Sequence, residues 1–238
     1  VLPSLFPFFV VSSLFIASGA ASFLGRLLGP FMFSLFGVSG IGASALLLGL
    51  TGGYPVGAKT IGELYRSGQI SQDEGEQLLC FCSNSGPGFF LGMCGANLFH
   101  SVRAGLYLYL VHVAAALLVG ILLRRTIQSP LPARAKQRAR TDFSPAAAFP
   151  AAVQSSFAAI WNVCGFVILF MVILHLIALL PPVQQLSALG RSVLFGFVEM
   201  TNGILLLSAD RAGFIACAAI MGWGGLSVHA QTLSVLSG

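Results

Sequence analysis

The sequence predicts an all-α integral membrane protein built as two inverted repeats, each a span, a re-entrant helical hairpin and a discontinuous helix. Composition sets the class: of 238 residues, 56% are apolar and 8% charged, where a soluble domain carries about 25% charged residues. Mean hydropathy is +0.90. Stretches such as 164–180 are continuously apolar. Strands of a membrane barrel would instead alternate about every second residue, so the spans are helical. A third observation is a set of glycine-, proline- and serine-rich breaks that interrupt the apolar segments in the same order in each half.

Residues 5–22 form the first span, with Pro3 and Pro7 in its opening turns, where amides lack intrahelical partners in any case. Residues 31–50 follow and run into "GLTGGYPVGAK" at 49–59. The legs on either side of this break, 41–50 and 58–66, have about ten residues each, and a spanning helix needs ~20. Half-length legs predict a hairpin that enters the bilayer and turns back. The polar loop 67–77 contains Ser71-Gln72-Asp73-Glu74, a capping box that starts a helix near Gln72. That helix meets Ser83-Asn84-Ser85-Gly86-Pro87 and resumes through 89–99, which makes one discontinuous span. Residues 104–123 are an ordinary span.

The second half repeats the order. Residues 157–180 are a long span closed by Pro181-Pro182, 191–200 and 204–209 flank "EMTNG", and 212–221 meets "WGGLSVHAQ" at 223–231. The predicted organisation is therefore 1–123 for the first repeat with its connecting span, 124–148 for a basic linker, and 149–238 for the second repeat. Half of the twelve basic residues (Arg124, Arg125, Arg134, Lys136, Arg138, Arg140) fall in that linker. The positive-inside rule puts it in the cytoplasm, for topology or for contact with acidic lipid. The first hairpin then opens to the cytoplasm and the second to the outside. With no initiator Met ahead of Val1, the sequence is read as a truncated or processed chain.

Unwound backbone is tolerated in hydrocarbon only where it is buried in protein or lines a cavity. Glycines allow close approach and Pro55 stops a helix, so the freed amides and carbonyls become binding groups. Half-helix N-termini favour anions and C-termini favour cations. Inverted repeats with broken helices at matching positions point to a secondary-transporter site near the midplane.

The stretches "VLPSLFPFFVVSSL", "GGYPVGAKTIGELYRSGQIS", "FCSNSGPGFFLG", "GFVEMTNG" and "GWGGLSVHAQ" resemble the YlbJ-type sporulation integral membrane proteins. These belong to the nucleoside-recognition (Gate) domain superfamily, which includes concentrative nucleoside transporters. The resemblance implies a protein of endospore-forming bacteria that helps move dipicolinate toward the developing spore, at the bacterial cell membrane and there the outer forespore membrane. In nucleoside-transporting relatives, two re-entrant hairpins and two unwound helices form the site. The matching positions here are 52–59, 83–87, 199–203 and 224–231. Where those relatives carry acidic and polar nucleoside-binding residues in the first hairpin, this chain has Lys59.

The candidate substrate-binding residues follow from the breaks. They are Gly52, Gly53, Tyr54, Pro55, Gly57 and Lys59 in the first hairpin, and Ser83, Asn84, Ser85 and Gly86 in the first broken helix. Glu199, Thr201, Asn202 and Gly203 come from the second hairpin, and Gly224, Gly225, Ser227, His229 and Gln231 from the last break. Lys59 either meets a substrate carboxylate as a desolvated point charge or snorkels to the interface. Glu199, an acid inside an apolar stretch, is a site candidate that binds a coupling cation or proton, or pairs with Lys59. Ser83, Asn84 and Ser85 bind substrate, satisfy the backbone freed by Pro87, or do both; Thr201 and Asn202 carry the same pair of readings. Ser227 and Gln231 share a helix face, whereas His229 points elsewhere, either titrating or packed and hydrogen-bonded.

The five cysteines show no tetrahedral metal spacing with His100 or His112 and read as small buried hydrophobes. "GLTGGYPVGAK" lacks the Gly-Lys-Ser/Thr ending of a phosphate loop and follows a helix rather than a strand. No nucleophile–base pair stands out. The expectation is a non-enzymatic transporter or channel without metal or cofactor, whose partners are a small anionic substrate, the lipid bilayer, a coupling cation or proton and further copies of the chain, with no nucleic acid. Cation-coupled uptake of a nucleoside or other small metabolite, and a non-transporting sporulation scaffold, are the competing readings.

Overall fold

The computed structural model describes residues 2–124 and 144–237, so most of the predicted basic linker, from Arg125 to Arg140, lies outside the described residues. Among the described residues every regular element is a helix. The chain forms two compact units. One takes in the described parts of Val1–Asn84 and Ala116–Trp161, the other Ser85–Ala115 and Asn162–Ser237.

In the first unit, α1 (Leu2–Ala17) and α2 (Ala20–Phe36) are bent 82° from each other. The span expected over 5–22 therefore stops at Ala17. Gly19 lies at φ 75 and Gly37 at φ 70, left-handed conformations that glycine reaches without the usual steric cost. Gly37 ends α2 by donating its N–H to the Phe33 carbonyl, so the span expected over 31–50 is also two helices, α2 and α3 (Gly42–Gly52). Next come α4 (Val56–Arg66) and α5 (Gln72–Cys82). Ser71 caps α5 through the Glu74 N–H (3.2 Å). The Glu74 carboxylate accepts the Ser39 N–H at 2.7 Å, which ties the α2–α3 connection to the start of α5. The core of this unit joins Met32, Phe36, Val38, Leu46, Ile61, Leu64, Leu78 and Phe81, with Phe36 stacked on Phe81 at 4.6 Å.

The second unit holds α6 (Phe89–Leu98), wound as a π-helix, and shares α7 (Val102–Leu122) and α8 (Pro145–Ala178) with the first. Helix α8 begins twelve residues before the span expected at 157, because Pro145 sits at its first turn and alanines carry it through Pro150. After α9 (Pro181–Gln184) come α10 (Ala188–Val198), α11 (Met200–Leu205), α12 (Arg211–Trp223) and α13 (Gly225–Ser237). Ser187 caps α10 through the Gly190 N–H, and Asp210 caps α12 through the Gly213 N–H.

Three helical segments among the described residues are long and apolar enough to cross a membrane: α7, α8 and the α12–α13 run over Arg211–Ser237. The bent α1–α2 pair makes a fourth if it counts as one span. Helices α7 and α8 expose Leu110, Leu118, Leu122, Trp161, Ile168 and Val172, side chains that belong against lipid. This is an all-helical integral membrane protein.

Candidate functional site

Helices α3 and α4 pack against each other around a break at Gly53, Tyr54 and Pro55, with a cis Tyr54–Pro55 peptide. Gly52, Gly53, Pro55 and Gly57 are buried and Tyr54 half-buried. Gly49 on one leg and Gly57 on the other flank the carbonyl of Cys82, the last residue of α5. A Cβ on Gly49 would lie 1.9 Å from that oxygen, and one on Gly57 2.1 Å from it. The end of the first broken helix thus docks into the first hairpin through backbone alone. Beyond it, Asn84 is buried and donates from Nδ2 to the Phe81 carbonyl (2.8 Å). The Ser83 hydroxyl is buried with no protein partner. In the second unit, the Ser85 N–H faces His112 Nε2 at 3.4 Å; Gly86 is half-buried.

Lys59 sits one half-turn beyond Gly57 and is 3% exposed. Phe9, Ser12 and Ser13 share one face of α1 by their spacing and meet Lys59, Thr60 and Glu63 of α4. The Lys59 ammonium donates to Ser13 Oγ at 2.6 Å and lies 3.2 Å from Glu63 Oε1. It also reaches the Phe9 carbonyl at 3.4 Å and stands 5.3 Å over the Phe9 ring. The Ser13 hydroxyl donates to the same Glu63 Oε1 at 2.8 Å. Next to them, Ser12 and Thr60 share a hydrogen bond of 2.8 Å. Glu63 Oε2 is buried with no hydrogen-bond partner. Lys59 is therefore turned inward onto a polar seam, and not outward to the interface. Sequence reasoning missed Glu63 and Ser13. The i,i+4 spacing of Lys59 and Glu63 was visible, but the contribution of Ser13 depends on how α1 packs.

The second hairpin is built differently. Glu199 breaks α10 from α11 and caps α11: Oε1 accepts the Thr201 N–H at 3.0 Å, and Oε2 accepts the Asn202 N–H at 2.8 Å and Nδ2 at 2.7 Å. A buried carboxylate at a helix N-terminus is stabilised by the orphan amides and the helix dipole. Gly203 packs against Gly196, where a Cβ on Gly203 would lie 2.2 Å from the Gly196 Cα. Ser192 Oγ donates to the Gly203 carbonyl at 2.6 Å.

The last break, between α12 and α13, falls at Gly224 and Gly225, both at positive φ. A Cβ on Gly225 would lie 3.0 Å from the Met200 nitrogen and 3.3 Å from the Glu199 Cα. In each unit, then, a hairpin break and the end or start of a broken helix meet through glycine. Ser227 and Gln231 are buried and bonded at 3.1 Å. His229 is exposed, its Nδ1 on the Gly225 carbonyl (2.8 Å) and its ring against Trp223 at 4.6 Å; it stands apart from Ser227 and Gln231.

These features define a class: an all-helical membrane protein with paired helix breaks closed by glycine contacts and lined by buried polar side chains. The chain belongs to the Gate family, whose model, described as nucleoside recognition, matches residues 1–177. It is 32% identical over 273 aligned residues to the sporulation integral membrane protein YlbJ of Bacillus subtilis (strain 168), an alignment covering 100% of this chain and 67% of that protein. No solved structure matches it.

Proposed function

We propose that this chain is a membrane transporter, or facilitated channel, for a small anionic metabolite, and that dipicolinate during endospore formation is its cargo. It binds and moves the anion without altering it, in the bacterial cell membrane and, in sporulating cells, the outer forespore membrane. The observation that carries this reading is Lys59: a buried ammonium, one half-turn from the Gly49–Gly57–Cys82 junction, facing inward onto Ser13 and Glu63. A buried ammonium calls for a carboxylate partner; Glu63 is that partner in the empty site, and a substrate carboxylate can compete for the same charge. The likeness to a sporulation membrane protein supports the setting. The order of breaks repeated along the sequence and the basic residues of 124–140 are what support an inverted repeat with the linker inside and the two hairpins opening to opposite faces.

Cation-coupled nucleoside or small-metabolite transport is the second reading. It is favoured by the family description and by the neutral polar set Thr201, Asn202, Ser227 and Gln231. A non-transporting scaffold fits less well, because packing alone favours unbroken helices with small-residue contacts. Thermal unfolding of the purified chain tests the choice. Dipicolinate raises the midpoint and nucleosides leave it unchanged on the first reading; the reverse result selects the second.

A further inference from the structure

Resting on that anion reading, we propose that Glu63 is a proton-coupling residue: it occupies the Lys59 ammonium in the empty site and takes up one proton when a substrate carboxylate replaces it. The starting point is that Lys59 is not free. Its charge is engaged by Glu63 Oε1 at 3.2 Å, and Ser13 bridges the same two groups. A substrate carboxylate that reaches Lys59 brings a second negative charge to a place that holds one positive charge. The one substrate carboxylate that reaches Lys59 makes, with Glu63, two carboxylates on one buried ammonium, so one of that pair must be neutralised. The substrate's other carboxylate lies outside this pair and does not enter the count.

Glu63 is shaped for that. Its Oε2 is buried and has no hydrogen-bond partner, so a proton bound there breaks no existing bond. The Ser13 hydroxyl turns from donor to acceptor or donor elsewhere at no covalent cost. The step balances: a buffer acid gives up its proton to form the O–H bond on Glu63 Oε2 and remains in solution as its conjugate base, while the substrate carboxylate replaces Glu63 at the Lys59 ammonium. Glu63 keeps 17% of its side chain exposed against 4% for Lys59, so Glu63 is the less enclosed end of the pair.

Among the groups on the helices packed around it, Glu63 is the carboxylate that faces Lys59. Helices α1 and α3, both packed on α4, carry no titratable side chain over their described residues. On α5, the third neighbour, Glu74 is committed to the Ser39 N–H, Asp73, Glu76 and Cys80 are exposed, and Cys82 is a buried thiol. On α4 itself, Arg66 adds a like charge in the field of Lys59, and Tyr65 is exposed. Tyr54 lies in the turn ahead of α4.

Calorimetric titration of the purified full chain with dipicolinate, repeated in buffers of different ionisation enthalpy, reads the protons taken up per anion. The range of about pH 6.5 to 8.5 keeps ordinary carboxylates such as the ligand's own fully ionised. The parent is expected to take up about one proton per anion, with affinity rising about tenfold for each pH unit lost. Glu63→Gln, which keeps the shape and hydrogen bonds but is permanently neutral, is expected to bind dipicolinate with about zero uptake and a flat pH profile. Binding by the parent with no proton uptake overturns the coupling and leaves the anion reading standing, and it needs no variant to be seen. So does a Glu63→Gln variant that retains the parent's uptake. A parent that binds no dipicolinate at any pH overturns the anion reading itself, and the coupling with it.

Discussion

Gly57 receives the carbonyl oxygen of Cys82, with Gly49 on the opposite leg of the hairpin closing the other side of the same oxygen. One helix-terminal acceptor is thus enclosed by two positions that have no side chain. The consequence for the fold is that α5 ends inside the α3–α4 hairpin, which holds the Ser83–Asn84 segment beside the break, with Gly57 two residues along α4 from Lys59.

The first prediction follows from that enclosure. Gly57→Ala and Gly49→Ala place a methyl within about 2 Å of the Cys82 oxygen, and backbone on both sides limits relaxation. Each is expected to lower stability by about 1–3 kcal/mol, the usual scale of overpacking, and to disturb ligand binding. Gly88→Ala and Gly92→Ala, with nothing within 4 Å of the added carbon, should unfold like the parent. Thermal unfolding of the purified variants checks both halves. Equal stability of Gly57→Ala and Gly92→Ala would show that the α5 terminus is free to move away.

The second concerns the Lys59–Glu63 pair. Lys59→Met removes the cation and leaves the Glu63 carboxylate with the Ser13 hydroxyl as its hydrogen-bond donor and no counter-charge. It should weaken dicarboxylate binding by more than ~2 kcal/mol, the scale of losing one partner of a desolvated pair. Stability should fall as well. Adding Glu63→Gln to Lys59→Met should restore stability, because the stranded charge is gone, but should not restore anion binding. A double variant no more stable than the single would mean that the seam carries little charge energy.

The third concerns Glu199. Its two oxygens accept three bonds from Thr201 and Asn202, so the carboxylate holds the second hairpin turn together. Glu199→Ala should cost about 1 kcal/mol through loss of the cap. Glu199→Gln should retain part of that capping, alter pH or sodium dependence of transport, and leave anion binding largely intact. Stability curves together with flux at varied pH and sodium separate the cap from an ion-coupling role: a variant that only unfolds earlier identifies a cap.

How much of this was legible in the sequence depends on what kind of residue carries each feature. The helical membrane class and the neighbourhood of the four breaks were legible because glycine, proline and serine clusters punctuate long apolar runs, and the α5 cap because Ser71 precedes Glu74 at the right spacing. The second hairpin differs in detail, since Glu199 alone breaks it and Met200–Leu205 is helical where a break over 199–203 and a leg over 204–209 were expected. The turns at Gly19 and Gly37 were not legible, since single glycines in an apolar run are compatible with an unbroken helix, and only their φ values mark the bend. The early start of α8 was hidden because an alanine-rich segment next to basic residues reads equally as linker or helix. Glu199 as a cap was hidden because glutamate is not among the preferred capping residues. Lys59 drew notice as an isolated charge. Its partner Ser13 lies on another helix, and pairing across helices is a product of packing, which periodicity does not encode.

The fourth prediction tests the inverted repeat. With the basic linker in the cytoplasm, a single cysteine at Gln137, which lies outside the described residues, and another at Ser187, the cap of α10, should react with an impermeant maleimide from opposite sides of the membrane. The native cysteines have to be replaced first, because Cys80 is exposed and Cys164 partly so, and either would label in its own right. Ser187 is capping Gly190 at 3.1 Å, so Ser187→Cys weakens α10 by the few tenths to about 1 kcal/mol of a partial cap loss; this is small enough to keep the fold while the side is read. Labelling of both positions from the same side would put the two hairpins on one face. It would then remove the case for alternating access through paired, oppositely oriented breaks, while leaving the Lys59–Glu63 site to be judged by its own proton count.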